Sequence, residues 1–347
     1  MAINLATKYE KQFDQAFKES SYFNGRTSAK YNWDGAKAIN VYAPITVDLV
    51  DYERNGSSRY GEATEIENTL QKMELTQDKS FTKTLDRGNY TDSQMAISAG
   101  AWMNEQINHG CTPAIEKYAI ARWIQRAGTV NTIAAAPTKS TVTEAYADLD
   151  AALTNGNVPE TGRTLYIPVT AHKWLKLSPE YMNIENLGEK ALAKGVIGTF
   201  MGAEVVKLPD SYFPEDCYGL MVHKESVLNP KKISTYKTHN NPPGIDGWLM
   251  EGRLYFDAFV LANKCKGVAA LVLAAKKLAA PAISAAGAIT GADGEMYYTT
   301  DGSDPRYSAT AVRAENATVG AAGDTIKAVN IGVDGSFTSD VTTTVRA

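Results

Sequence analysis

The chain has 347 residues, 44% of them hydrophobic, with 35 basic and 39 acidic side chains and a formal net charge of −4. That length allows two domains of ordinary size or one extended domain with an appendage, and the near balance of charge excludes the basic surplus of a sequence-reading nucleic-acid binder. The imbalance is local: from Ala279 onward there are four basic and eight acidic side chains, which leaves 35−4 = 31 and 39−8 = 31, a neutral remainder.

The opening MAINLATKYEKQFDQAF is charged within ten residues and has no apolar h-region, so it does not read as a secretory signal. Tyr9, Phe13, Ala16 and Phe17 fall at helical spacing and are followed by a polar, turn-rich stretch, so residues 1–40 read as an extended arm. AINVYAPITVDLVDY is rich in strand formers. The polar excursion from about 51 to 86 reads as a long hairpin. Met73 and Leu75 share a face against Lys72, Glu74 and Thr76, and Phe81, Lys83 and Leu85 repeat the two-residue period. So sparsely apolar a hairpin is not stable alone in water, which points to an arm packed on another subunit, with a mobile loop as the plainer alternative.

YTDSQMAISAGAWMNEQINHGCTPAIEKYAIARWIQRAG carries the clearest helical pattern. Thr91 and Gln94 have capping-box spacing, Met95, Ala99, Trp102 or Met103, and Gln106 or Ile107 mark one face, and Ile115, Tyr118, Ala119, Arg122 and Trp123 mark a second. Gly110 and Pro113 should interrupt or kink a helix of about 50 Å ending near Gly128. AYADLDAAL, TAHKWLKL and NLGEKALAK are shorter helical candidates, and RTLYIPV and AEVVKL are strands, so the middle region is mixed α+β. Strands follow the turn signal NNPPG, with Trp248, Met250, Leu254, Phe256 and Phe259 at their apolar positions. VAALVLAA is too short to span a bilayer. Beyond Leu278 short strands alternate with the turns ADG, DGSDP, AAGD and VDG, the signature of a small all-β sandwich of immunoglobulin-like class over 279–347.

Chemistry-bearing constellations are sparse. There is no His-Glu-x-x-His, Cys-x-x-Cys, Walker loop or Gly-x-Ser-x-Gly, and nothing calls for a cofactor, a metal or a catalytic residue. Cys111, Cys217 and Cys265, odd in number and far apart, read as reduced, buried thiols. Asp301-Gly302 and Asp304-Pro305 read as turn residues of a surface loop, with a calcium site as the alternative. Trp102, Trp123 and Trp248, with Met73 and Leu75, are the candidate inter-subunit or core contacts.

Three passages, FTKTLDRGNYTDSQMAISAGAWMNEQINHGCTPAIEKYAIARW, the region from EAYADLDAAL to LPDSYFP, and YKTHNNPPGIDGWLMEGRLYFDAFVLANKCKGV, resemble in order and wording the major capsid proteins of tailed bacteriophages with the Hong Kong 97-type fold. The resemblance covers roughly residues 1–275. It implies an α+β shell domain over 41–275: an E-loop at about 51–86, a spine helix at about 91–127, an axial domain at about 136–215 and peripheral strands at about 216–275. It implies self-association into pentamers and hexamers of an icosahedral virion shell built in the host bacterial cytoplasm, a portal and a separate scaffolding protein as partners, double-stranded DNA enclosed non-specifically, and no membrane and no enzymatic activity. YYTTDGSDPRYSAT resembles the small sandwich modules beside chitinases and hexosaminidases, which implies an immunoglobulin-like module on the outer surface whose ligand class would be glycans. On that reading the module is separable, and its removal should leave assembly intact. The alternatives are an encapsulin-type compartment shell, or a glycan-binding or glycan-cleaving protein with an accessory sandwich.

Overall fold

The computed structural model describes residues 21–31, 33, 36–44, 49–55, 58–61, 63, 65, 66, 68–92, 99–178, 196–291, 295–314, 318–333 and 335–347. The helical spacing at Tyr9 to Phe17, the capping partner Gln94 with Met95, and NLGEKALAK lie outside these residues.

A six-stranded sheet organises the larger part of the chain. Its strand order is Thr129–Ile133, Val268–Leu273, Cys217–His223, Arg163–Pro168, Ala203–Leu208, Val196–Phe200, with the first and second strands parallel, and likewise the fourth and fifth. The run Val268–Leu273 lies second in the order, which is why it is apolar without interruption. Side-chain alternation splits the sheet into two cores. Leu165, Ile167, Met221, Ala269 and Leu271 face the helix Val142–Asn155 through Val142, Tyr146, Leu149 and Leu153. Tyr166, Val206, Leu220, Val222, Ala270 and Val272 share the other core with Ile120, Trp123, Ile124 and Ala127. The strands Cys217–His223 and Val268–Leu273, expected among the peripheral strands, therefore belong to the same sheet as Arg163–Pro168. Buried Arg163 closes the end of the first core, donating to Asp150 Oδ1 at 2.6 Å, to Thr154 Oγ1 at 3.0 Å and to the carbonyl of Val158.

The long helix is built in pieces. Arg87–Asp92 is helical, and a continuous run follows as Ala99–Glu105, a π-helical segment Gln106–Cys111 and Thr112–Gln125, together about 40 Å. Pro113 explains the wide turn. Its ring would collide with the carbonyl four residues back in a regular helix, and it has no N–H to give. In the π-helical segment the Thr112 N–H instead reaches the Ile107 carbonyl, and Thr112 Oγ1 donates to the same oxygen at 3.1 Å.

A second sheet is an antiparallel ribbon of Lys231–Asn240, Gly247–Phe256 and Gln77–Asp86, in that order. Phe81 closes over Gly252, where a Cβ would lie 2.2 Å from its ring. Buried Asp257 fastens ribbon to helix: Oδ2 accepts from Thr76 N and Oγ1, both at 2.8 Å, and Oδ1 accepts from Tyr118 Oη at 2.8 Å.

The reading of 1–40 as an extended arm rather than a core element meets a correction at residues 21–31 and 33, which contribute to the core. Phe23 is buried with its ring 4.8 Å from that of Trp123, the Tyr22 N–H and Ser21 hydroxyl donate to buried Glu116, and Trp33 stacks on Phe259. Isolated aromatics in a polar stretch carry no periodicity, so the sequence pattern does not show their burial.

From Ala279 the chain forms a four-stranded antiparallel sheet, ordered Val312–Arg313, Glu295–Thr299, Thr325–Ile331, Thr342–Val345, and a separate pair Ala282–Ile283 with Ile289–Thr290. Ile289, Met296, Ala314, Ile326 and Ala328 form its own small core.

Trp123→Ala, which empties the centre of the core under the long helix, is expected to cost about 3–5 kcal/mol in denaturant unfolding. Burial pushes the Cys217 thiol up to about 12, so it should stay unreactive toward an aromatic disulfide reagent at pH 8 until the chain is unfolded.

Candidate assembly surface and the docked C-terminal module

The hairpin differs from its expected limits of 51–86. Its arms are Ala38–Pro44 and Asn68–Glu74, paired antiparallel with Tyr42 opposite Leu70, while Gln77–Asp86 pairs with Gly247–Phe256 in the ribbon. A two-residue period identifies a strand but not its partner, and both segments show it. Met73 and Leu75 are fully buried at the hairpin base, in a cluster with Trp33, Leu228 and Leu261. Towards the tip the chemistry reverses. Tyr42, Leu49, Val50, Tyr52, Tyr60 and Ile66 are exposed, Leu49 fully and Tyr60 at 86%, which places on this one element half of the twelve exposed large hydrophobics among the described residues. Such a concentration marks an interaction surface rather than ordinary surface scatter.

The three tryptophans do not share a face. Trp123 is in the core and donates Nε1–H to the Leu228 carbonyl at 3.3 Å. Trp102 is half-buried with its ring edge-on to Phe81, and Trp248 is half-buried against Tyr90 at 4.9 Å. Among the described residues, no group of three or more His, Cys, Asp or Glu is placed to hold a metal ion.

The turn Asp301–Pro305 does not face solvent as a free loop. Asp301 Oδ1 accepts from the Ser303 N–H at 3.0 Å and from its hydroxyl, and Oδ2 accepts from Thr310 Oγ1 at 2.7 Å. Burial pushes the Asp301 carboxyl up, but these hydrogen bonds outweigh it and hold it below the usual range. Gly302 takes φ +71°, a left-handed conformation suited to glycine. Asp304 accepts from the Arg306 N–H at 2.9 Å and from its guanidinium at 2.7 Å, so the turn before Pro305 aims Arg306.

Arg306 and its neighbours meet the end of the long helix. A helix terminus leaves its last carbonyls without partners, and it favours positive charge. Here Arg306 donates to the carbonyls of Ala127 at 2.6 Å and Gly128 at 3.0 Å, Tyr307 Oη to that of Arg126 at 2.6 Å, and Thr338 Oγ1 to that of Gln125 at 2.7 Å. The helix answers in kind: Gln125 Nε2 donates to the Gly332 carbonyl at 2.7 Å and Arg126 to that of Arg306. Tyr307 and Phe337 are buried in the core cluster of Trp123. The same loop reaches the hairpin, where the Ala309 N–H donates to the Leu70 carbonyl at 2.8 Å and Ser308 bridges Gln71. These contacts tie the module to the helix end and to the hairpin. Arg306, Tyr307 and Thr338 were not among the expected site residues; their only trace in the sequence is an Arg-Tyr pair directly after a turn.

No protein-family model matches the chain, nor does any curated protein. Solved structures do: 133 chains match. A chain from Mycobacterium phage Che8 superposes with a TM-score of 0.61 at 17% identity, covering 78% of this chain and 98% of that one. A chain of the capsid of cyanophage P-SCSP1u gives 0.59 at 15% identity, with 78% and 93% covered. One from the mature capsid of bacteriophage PhiM1 gives 0.58 at 11% identity, with 78% and 92% covered. The fold is that of phage capsid proteins. Nearly the whole of each neighbour is matched, whereas about a fifth of this chain is left over, close to the share that 279–347 makes of 347 residues.

Arg306→Ala, which strips two carbonyls of their donor and leaves Asp304 without its cation, is expected to cost about 1–3 kcal/mol in thermal or urea unfolding. Removing residues 279–347 is expected to lower the melting temperature of the remainder and expose apolar surface to a hydrophobic dye; an unchanged melt would show that the docking carries no stability.

Proposed function

We propose that this chain is the major capsid protein of a tailed bacteriophage, a structural and non-enzymatic subunit with the Hong Kong 97-type fold. The observation that carries this reading is the near-complete coverage of the phage chains it superposes on, two of them from capsids, by 78% of this chain. Copies assemble as pentamers and hexamers into an icosahedral shell in the host cytoplasm, with a portal and a scaffolding protein, and enclose double-stranded DNA without reading its sequence. The charge supports this: the first 278 residues are neutral, so retention of DNA rests on closure rather than on affinity. The exposed apolar hairpin supports inter-subunit contact, since modest contacts repeated around closed rings act together.

The C-terminal module lies, on this reading, on the outer face of the shell. Glycan adhesion there rests on Tyr297 and Tyr298, which are partly exposed, because Tyr307 is committed to the helix end. The deciding experiment is negative-stain electron microscopy of the purified full-length chain, alone and with its scaffolding protein. Closed polyhedral particles or regular rings are expected. Monomers under both conditions, with binding or turnover of chitin oligomers, would instead make it a glycan-active protein with an accessory sandwich.

A further inference from the structure

A cavity of about 320 Å³ lies where the long helix, the hairpin base and the C-terminal module meet, a volume at the lower end of the range for small-ligand sites. Charge around it is one-sided. Its lining sets Lys72, Arg122, Arg126 and Arg306 against Glu74. That carboxylate is already shared by two lysines, Lys37 at 2.6 Å and Lys72 at 3.1 Å, and Arg306 is held by Asp304 at 2.7 Å. Arg122 and Arg126 are not matched by charge. Arg122 donates to the neutral Gln125 Oε1 at 3.0 Å and Arg126 to the Arg306 carbonyl, and among the described residues neither forms an ion pair. Like charges four residues apart at the end of one helix repel. Burial, and then the neighbouring Arg122, pull the Arg126 guanidinium down to about 10, as in a site short of negative charge.

Hydrogen-bonding capacity is one-sided too. A guanidinium carries five N–H donors and no acceptor, and among the described residues one donor of each of these two arginines is taken. The neutral polar groups of the lining are engaged elsewhere. Gln71 Nε2 donates to the Val260 carbonyl at 2.8 Å while its Oε1 accepts from the Ala262 N–H at 2.9 Å, Thr76 Oγ1 donates to Asp257, and Tyr297 Oη donates to Glu295. The cavity therefore offers donors and few acceptors. A sugar brings hydroxyl donors that would find no acceptor here, whereas an oxyanion is rich in acceptors and supplies the missing charge.

We propose that this cavity is a binding site for a small oxyanion of the phosphate class, held by the guanidinium forks of Arg122 and Arg126. One wall belongs to the helix and another, through Arg306, Tyr307 and Ser308, to the module, so a bound anion relieves the repulsion between the arginines and tightens the docking of the module. The site does not depend on how copies of the chain associate.

The test is urea unfolding of the full-length chain in increasing inorganic phosphate, against sodium chloride at matched ionic strength. The wild type should gain stability along a saturating curve. Arg122→Gln should need about tenfold more phosphate for the same gain, the loss of a charge-assisted contact, while its stability without phosphate equals or exceeds that of the wild type because the repulsion is gone. Arg122→Lys, which keeps the charge without the fork, should fall between the two. Lys173→Gln, at an exposed position outside the cavity, should respond as the wild type does. Protection no greater than that given by chloride overturns the proposal, as does equal protection of wild type and Arg122→Gln. A short single-stranded DNA that protects where inorganic phosphate does not overturns it as well, and assigns the arginines to a nucleic-acid backbone.

Discussion

The last carbonyls of the long helix are the constraint on which the rest of the molecule depends. They sit where the core beneath Trp123 ends, and in most helices water or the next turn would satisfy them. Here the Gln125 carbonyl and those of the three residues that follow the helix, Arg126, Ala127 and Gly128, are answered by side chains more than 170 residues later in sequence, from Thr338, Tyr307 and Arg306. A guanidinium is well chosen for this place, because it meets two carbonyls at once and sets a positive charge at the negative end of the helix. Asp304 holds that guanidinium in position, and Pro305 and Gly302 hold Asp304, so a surface-looking turn is the outer part of a helix cap.

The same junction joins parts that the sheet topology keeps separate. The six-stranded sheet, the ribbon and the hairpin are hydrogen-bonded as three independent sheets. Asp257 links ribbon to helix on one side, and the loop at Ser308 and Ala309 links module to hairpin on the other. Local polar contacts of this kind define angles between elements more sharply than apolar packing, which tolerates sliding. The hairpin thus leaves the body at an angle held at its base by buried Met73 and Leu75 and along one arm by the module, while its outer part carries apolar groups that the monomer does not cover.

Much of this was legible in the residues, and the limits of legibility have physical causes. The helix under AYADLDAAL and the interruption near Pro113 follow from periodicity and proline geometry. Pairing was not legible: Phe81 and Leu85 alternate as Met73 and Leu75 do, yet one strand joins the ribbon and the other the hairpin. Nor was burial of isolated aromatics such as Phe23 and Trp33, nor the destination of Arg306, since a hydrogen bond across the fold leaves no spacing to read.

The wide turn at Gln106–Cys111 has an effect beyond accommodating a proline. A ring closed five residues back holds one residue more than a regular turn, so the stripe of inward-facing positions rotates by about 100° across it. One rod thereby presents Trp102 to the ribbon before the turn and Ile120 and Trp123 to the large sheet after it, two surfaces that a uniform helix of this sequence could not address together. The segment works as a phase shifter, and it makes the chain length between Trp102 and Trp123 as much a determinant of the shape as the identity of the residues in between.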